Sequence, residues 1–453
     1  MYKHSVAILG TGFIGLCSAA CFAQKNIKVL ASTHNEKKAS IINEFKSPFF
    51  EEGLAEMLIE IKEQKPELLK CLTNPVQAVL DTDISMITQG TPMRPDKSIN
   101  LGFIESTAKE IGEALKNSDK YRLVVVRSTV VPGTTRNLVG KIITEISGKE
   151  PGKDFGLCMQ PEFLAEGRSI EDTLRPDRII IGEIDERSGA MLQEFYEYFY
   201  GDYLKNCPIK RMNLESAELV KYGNNCLLST KISYANEFAN LAELVPNVDV
   251  VQVMEGVGLD YRINHRFLGA GVGFGGACFH KDVNAITQWS RSMGYTSKIL
   301  EAVLERNDLR AIRIIDIAEG LIGKLEGKKV TLLGLSFKPG TDDMREAPSI
   351  RVINELIRRN VTDIIGYDPK AKESAKEAIG DKINYAESIE EALKDSECAF
   401  LITDWDEFKR LTPDDFKKIM KTPNLIDGRR IYDYDEFNKA LNFRAMGRVD
   451  FNK

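Results

Sequence analysis

Histidine and tryptophan are scarce in this chain: four and two among 453 residues. His4, His34, His265 and His280 nowhere pair at metal-ligand spacing. The eight cysteines, at 17, 21, 71, 158, 207, 226, 278 and 398, contain no Cys-x-x-Cys. No metal site is therefore expected. Cysteines scattered over a long chain point to reduced thiols and a cytoplasmic location. No apolar run approaches the roughly 20 residues that cross a bilayer. Met1-Tyr2-Lys3-His4 leads straight into an apolar strand, without a signal-peptide cleavage pattern. Basic residues do not cluster either: 61 Lys and Arg stand against 67 Asp and Glu, for a net charge of -6, which argues against a nucleic-acid partner. What is present, 43% apolar and 28% charged residues, suits two or three domains with real cores.

The first informative stretch opens the chain. Ser5-Val6-Ala7-Ile8-Leu9 is a short apolar strand, Gly10-Thr11-Gly12-Phe13-Ile14-Gly15 follows, and Leu16 to Ala23 is small and helical. Strand, G-x-G-x-x-G, helix is the context in which this motif holds a pyrophosphate, because the glycines permit a tight turn and the helix N-terminus offers N–H groups. Gly10, Gly12, Phe13, Ile14 and Gly15 are thus candidate cofactor contacts. A second strand is expected at Lys28-Val29-Leu30-Ala31, and an acid should end it to hold ribose hydroxyls. Ser32 stands there instead, with Thr33 and Lys37 close by. Without that carboxylate a 2′-phosphate is not repelled, so NADP is expected to be tolerated beside NAD; alternatively Ser32 and Thr33 simply hydrogen-bond the NAD ribose. Cys17 and Cys21, four apart on the first helix, read as packing residues.

Further strands alternate with helices to Arg178-Ile179-Ile180-Ile181-Gly182, which predicts a doubly wound parallel sheet. Ligands bind beyond the carboxyl ends of such strands. Thr91 and Pro92, Ser128 and Thr129, and Glu162 and Glu166 all lie there, although each taken singly suits a helix cap or turn equally well. From Asn213 to about Val245 the pattern is helical, with Lys221 and Asn225 on one face. That stripe is either a solvated face or an oxyanion-stabilising pair. A second α/β unit begins at Lys328, without a glycine fingerprint, and its last strand is expected at Asn424 to Arg429. The expected fold class is α/β: two doubly wound Rossmann-like domains, residues 1–205 and 323–453, joined by a helical central region, 206–322, with a long helix.

Within the central region lies Gly271-Val272-Gly273-Phe274-Gly275-Gly276-Ala277-Cys278-Phe279-His280-Lys281-Asp282. Four glycines in six positions make a poor helix or strand but can wrap a ligand and place a thiol on a bend. Lys281 could stabilise a thiolate and Asp282 could handle a proton. The bland alternative is a surface loop with a half-buried cysteine acting as a small hydrophobe.

That loop resembles the catalytic loop of the UDP-glucose/GDP-mannose dehydrogenases. Pro161-Glu162-Phe163-Leu164-Ala165-Glu166-Gly167, Ala217-Glu218-Leu219-Val220-Lys221 with Asn225, and Phe337-Lys338-Pro339 are similar to the same family, in the same order. The resemblance spans all three segments. It implies an NAD-dependent, four-electron oxidation of a sugar-nucleotide C6 alcohol to a carboxylate. Cys278 then resembles the nucleophile that carries a thiohemiacetal and a thioester. Lys221 and Asn225 resemble the oxyanion-stabilising groups, Asp282 an activating carboxylate, and Thr129 and Glu162 the residues that position water and move protons. Glu166, Lys281 and Arg345 match cofactor-side positions. Phe163, Leu164, Phe267, Gly275, Phe337, Lys338 and Arg429 match substrate-side ones. Arg262 resembles a residue that reaches a neighbouring subunit's substrate, which implies a homodimer.

Phe279-His280-Lys281-Asp282 is more similar to the UDP-glucose branch than to the proline-containing version of the GDP-mannose and N-acetylhexosamine branches. UDP-glucose is therefore the expected substrate, and GDP-mannose or a UDP-N-acetylhexosamine the alternatives. An inactive sensor of sugar nucleotides is the competing class, against which the intact Cys278, Lys221 and Asp282 argue. A two-electron hydroxyacid dehydrogenase would have no use for the thiol.

Overall fold

A computed structural model describes residues 2–448. They form two compact units that part between Asn224 and Asn225, inside a 29-residue helix, Leu214–Ala242.

The first unit is built on eight strands: β1 (Val6–Leu9), β2 (Val29–Ser32), β3 (Leu69–Leu72), β4 (Ile84–Ile87), β5 (Leu123–Val126), β6 (Gly156–Met159), β7 (Ile179–Glu183) and β8 (Ile209–Asn213), in the order β3-β2-β1-β4-β5-β6-β7-β8. The central strands are apolar almost throughout and wholly buried, as parallel strands covered by helices on both faces must be. Alternate residues supply separate cores. Val6, Ile8, Val29 and Ala31 pack on the first helix, Phe13–Gln24, whereas Ala7, Leu9 and Leu30 pack with Ile104, Ala108 and Ile111 of the helix Gly102–Lys116. One pairing departs from the expected parallel sheet: β7 runs antiparallel to β6, and β8 then pairs parallel to β7.

The turn after β1 shows why the motif is glycine-rich. Gly10 has φ +117° and its carbonyl accepts a 2.7 Å hydrogen bond from Thr88 Oγ1. A Cβ on Gly15 would lie 1.9 Å from that same carbonyl oxygen. Only glycine lets the first helix sit this close to the strand.

The second unit carries the rest of the long helix, the helices Val250–Gly258, Phe279–Ser292 and Lys298–Ile322, and a six-stranded sheet. Its strands are β9 (Lys329–Leu333), β10 (Asp363–Tyr367), β11 (Asn384–Tyr385), β12 (Cys398–Leu401), β13 (Asn424–Asp427) and β14 (Asn442–Ala445). They pair in parallel in the order β11-β10-β9-β12-β13-β14. The first six strands of the other sheet follow the same winding, so the expected echo between the halves is a real repeat of topology. Gly428 and the β13 carboxyl end adjoin the glycine loop, since Val272 N donates to Gly428 O at 3.1 Å.

Asn213 caps the long helix as its sequence predicts, accepting from Ser216 N at 2.8 Å. Two boundaries differ from the sequence reading. The series of strands ends with β14 rather than β13. The stretch from Gly271 to Asp282, read as a loop, is irregular only as far as Cys278, because Phe279 opens a helix and puts Asp282 in its first turn.

Candidate active site

The carboxyl ends of β1, β4 and β5 bring the predicted cofactor residues of the first unit together. Thr91 Oγ1 donates to Thr129 O at 2.9 Å, and Ser128 Oγ to Gln89 O at 2.7 Å. Gly12 faces open space: among the described residues no atom lies within 4 Å of where a Cβ would stand. Two buried hydroxyls at these strand ends, Thr11 Oγ1 and Ser32 Oγ, have no hydrogen-bond partner among the described residues. Buried polar atoms are normally satisfied, so these hydroxyls and the open glycine turn fit a dinucleotide. Thr33 Oγ1 accepts from Asn35 N at 3.3 Å, and Asn35 caps the helix Glu36–Asn43, in whose first turn Lys37 is exposed.

Beyond β6, Glu162 and Lys221 form a buried pair. Lys221 Nζ lies 3.0 Å from Glu162 Oε1 and 2.7 Å from the Glu162 carbonyl, with the two side chains 6% and 5% exposed. Leu164 N donates to the other carboxylate oxygen at 2.7 Å. The Arg178 guanidinium lies 3.8 Å from the centre of the Phe163 ring, and Lys221 Nζ 5.5 Å from it. Glu218, one turn before Lys221, is fully buried and accepts from Gly133 N and Thr135 N at 2.5 and 2.7 Å. Glu218, Lys221 and Asn225 are all buried, and the solvated-face reading does not apply.

In the second unit, Cys278 immediately precedes the helix Phe279–Ser292 and is the one exposed cysteine of the eight; none is in a disulfide. Asp282, 1% exposed, donates its N–H to Cys278 O at 2.8 Å. One Asp282 oxygen accepts from Asn225 Nδ2 at 2.7 Å and the other pairs with Lys281 Nζ. Asn225 and Lys281 thus meet on one buried carboxylate, a helical turn from Cys278.

The glycine loop leading to Cys278 is fastened from several sides. Asn307 accepts from Phe274 N at 2.8 Å and donates to Phe274 O at 3.0 Å; Arg310 Nε donates to Gly271 O at 3.0 Å. A Cβ on Gly275 would lie 2.6 Å from Glu346 O, and one on Gly276 2.8 Å from the Phe337 ring. Arg429 reaches the same place from β13, donating to Ile402 O at 2.5 Å and Phe337 O at 3.2 Å. Burial holds its guanidinium below the ordinary range.

Two further predicted residues touch the segment around Cys278: Arg345 O accepts from Gly276 N at 2.9 Å, and the Phe267 ring centre lies 6.4 Å from that of Phe279. Arg262 is exposed and paired with Asp260, Phe267 is 44% exposed with φ +64°, and Arg345 is exposed and paired with Asp343. Lys338 Nζ lies 5.5 Å from the Phe337 ring centre. Glu166 is half-buried in the turn after β6.

Sequence reasoning misses Glu51, Asn307 and Arg310. Glu51 holds the turn after Glu166 by accepting from Gly167 N and Ser169 N at 3.0 and 2.6 Å. None of the three sits in a motif; their partners are brought to them only by folding.

The first sheet and its glycine turn are those of a dinucleotide-binding oxidoreductase. Residues 4–200 match the NAD binding domain of the UDP-glucose/GDP-mannose dehydrogenase family, residues 215–309 its central domain, and residues 331–434 its UDP binding domain. The chain belongs to the UDP-glucose/GDP-mannose dehydrogenase family, an enzyme of NAD-dependent nucleotide-sugar oxidation. It is 39% identical to a UDP-glucose 6-dehydrogenase of Haloferax volcanii over 94% of this chain and 96% of that one. A UDP-glucose 6-dehydrogenase of Bacillus subtilis is 36% identical, over 98% of this chain and 93% of that one. Among solved structures, a UDP-glucose dehydrogenase from Pyrobaculum islandicum superposes with a TM-score of 0.90 at 34% identity, over 99% and 98% of the two chains.

Proposed function

We propose that the chain oxidises UDP-glucose to UDP-glucuronate through a covalent bond to Cys278. The names of its relatives and the Phe279-His280-Lys281-Asp282 sequence support the substrate. The observation that carries the chemistry is Cys278 itself, an exposed thiol at the N-terminus of a 14-residue helix. That position favours a thiolate through the helix dipole.

The glycine turn of Gly10 to Gly15, with Ser32, Thr91 and Ser128, would hold NAD, which would supply the hydride acceptor for both oxidations. Removing hydride from the C6 alcohol requires its proton to leave and the oxygen's charge to be held, which the Lys221 ammonium and the Asn225 amide do. Sulfur then adds to the aldehyde carbon and the carbonyl oxygen takes a proton, giving a thiohemiacetal. Loss of that proton with a second hydride gives a thioester. Water, positioned by Thr129 and relieved of a proton by Glu162, breaks the C–S bond and yields the carboxylate, while the sulfur recovers its proton with help from Asp282. Phe163, Leu164, Phe267, Gly275, Phe337, Lys338 and Arg429 hold the sugar nucleotide; Glu166, Lys281 and Arg345 serve the cofactor.

In this reading the chain comprises three domains, 1–205, 206–322 and 323–453, a division the three matched family segments support. It works as a homodimer in which Arg262 reaches the neighbouring subunit's substrate. The exposure of Leu259, Tyr261 and Leu244 around the central helices supports an interface there; a single 50.8 kDa species in sedimentation would contradict it. Eight cysteines outside disulfides suit a cytoplasmic location. NADP is accepted beside NAD because no acid follows β2, and a hundredfold NAD preference in kcat/KM would end that idea. The substrate is tested by following NADH absorbance with UDP-glucose, GDP-mannose and UDP-N-acetylhexosamines. UDP-glucose should be preferred; a preference for either alternative contradicts the assignment.

A further inference from the structure

Where the usual acid is missing at the end of β2, a carboxylate arrives from elsewhere. His34 Nε2 lies 2.9 Å from Glu110 Oε1, with the His34 side chain 64% exposed and that of Glu110 only 18%. Glu110 belongs to the helix Gly102–Lys116, which covers one face of the first sheet. Ser32 follows Leu30 by two residues, so strand alternation turns its side chain to that same face. Ser32 is 2% exposed, and its hydroxyl has no partner among the described residues.

The chain around Ser32 offers several donors. Thr33 contributes a hydroxyl and His34 a ring N–H. Lys37 contributes an exposed ammonium in the first turn of the helix Glu36–Asn43, whereas Lys38 lies back over the Phe49 ring at 5.8 Å. Hydroxyls, an imidazole and an exposed ammonium are the chemistry that holds a phosphate monoester. A surface His–Glu contact ordinarily contributes little. This one differs because its carboxylate is partly desolvated: burial pushes the Glu110 carboxyl up, and His34 offsets that. Glu113, on the same helix, adds a further negative charge beside it.

We propose that Ser32, Thr33, His34 and Lys37 form a receptor for the 2′-phosphate of NADP, and that Glu110 is its built-in competitor, so the His34–Glu110 contact sets the balance between NADP and NAD. The proposal rests on the dinucleotide reading of this sheet. In place of an acid fixed at the strand end, a carboxylate from another helix occupies the imidazole that a phosphate would otherwise engage. An incoming 2′-phosphate must displace it.

The test is calorimetric titration of the full chain with NAD and with NADP, so that binding is read without turnover. Glu110→Gln keeps the shape and removes the charge. It should tighten NADP by about tenfold, the change expected when one like charge near a phosphate is removed, while NAD affinity stays within twofold and so serves as the folding control. Adding His34→Ala to that variant should return NADP to its wild-type affinity. Ser32→Asp should lower the NADP-to-NAD affinity ratio by at least tenfold. An unchanged ratio of the two affinities in Glu110→Gln overturns the competitor, and so does a loss confined to NAD, which would make Glu110 a ribose ligand. A wild-type chain that bound neither nucleotide would instead sink the dinucleotide reading itself.

Discussion

Eight thiols of one chemical type behave differently because their surroundings differ. Burial pushes Cys21, Cys226 and Cys398 up to about 12 and Cys71 up to about 11, so they stay protonated and closed to reagents. Cys278 alone faces solvent. Iodoacetamide at about pH 8 should label one cysteine of the native chain, identified by peptide mass spectrometry as Cys278; comparable labelling of Cys71 or Cys226 would contradict this. Lys221 and Glu162 make a second residue-scale case. Lys221→Ala leaves a buried carboxylate unpaired and should cost about 3–5 kcal/mol in urea unfolding. The paired change Lys221→Met with Glu162→Gln should recover much of that stability and none of the activity. Cys278, Lys281 and Asp282 are legible together because they are neighbours in sequence. Glu162 and Lys221 stand 59 residues apart, and neither motif reveals their pairing; by sequence alone Lys221 suits a wet face equally well.

The elements that can be read are those with a local cause. A strand, a glycine turn and a helix of small residues follow from steric rules acting within 20 residues, and a Cβ at Gly15 shows how little room those rules leave. Gly15→Ala should abolish NAD binding, checked by the same titration, and near-normal affinity would refute the close-packing argument. β3 and β8 escape the sequence pattern because edge strands carry charge: Leu69–Leu72 alternates buried and exposed residues, and Ile209–Asn213 reads Ile-Lys-Arg-Met-Asn. The helix Lys298–Ile322 is legible as helical, but its hold on the glycine loop through Asn307 and Arg310 is not, since nothing in its own sequence marks either residue. Asn307→Ala removes both hydrogen bonds to Phe274 and should lower kcat by roughly 10–100-fold through misplacement of the thiol, with the melting temperature lowered only modestly. Asn307→Asp should not rescue it, because a carboxylate can accept from Phe274 N but cannot donate to Phe274 O. Rescue by Asp would show that position, rather than hydrogen bonding, is what matters there.

At the scale of the whole molecule the buried thiols set an alkaline limit. Their ordinary value is 9.0, and Cys21 and Cys398 are lifted to about 12. The fold therefore keeps protons that the unfolded chain releases, and stability is full below about pH 9 and falls as pH rises toward 12. Arg310, lowered to about 10 by burial, opposes that fall at higher pH: above about pH 10 its folded form gives up a proton that the unfolded chain still holds, which offsets the thiols there, so the thiols dominate between about pH 8 and 10. The urea midpoint should fall across that window, and a flat midpoint would contradict the assigned burial. Among the described residues no helix is long and apolar enough to cross a membrane, which leaves the catalytic account to stand on the sites alone. The direct test of that account is the ratio of NADH formed to UDP-glucuronate formed, measured for the wild type and for Cys278→Ala. Wild type should give two NADH per acid with no free aldehyde, and Cys278→Ala should give no acid. A Cys278→Ala chain that completed both oxidations at the wild-type rate would contradict the covalent step.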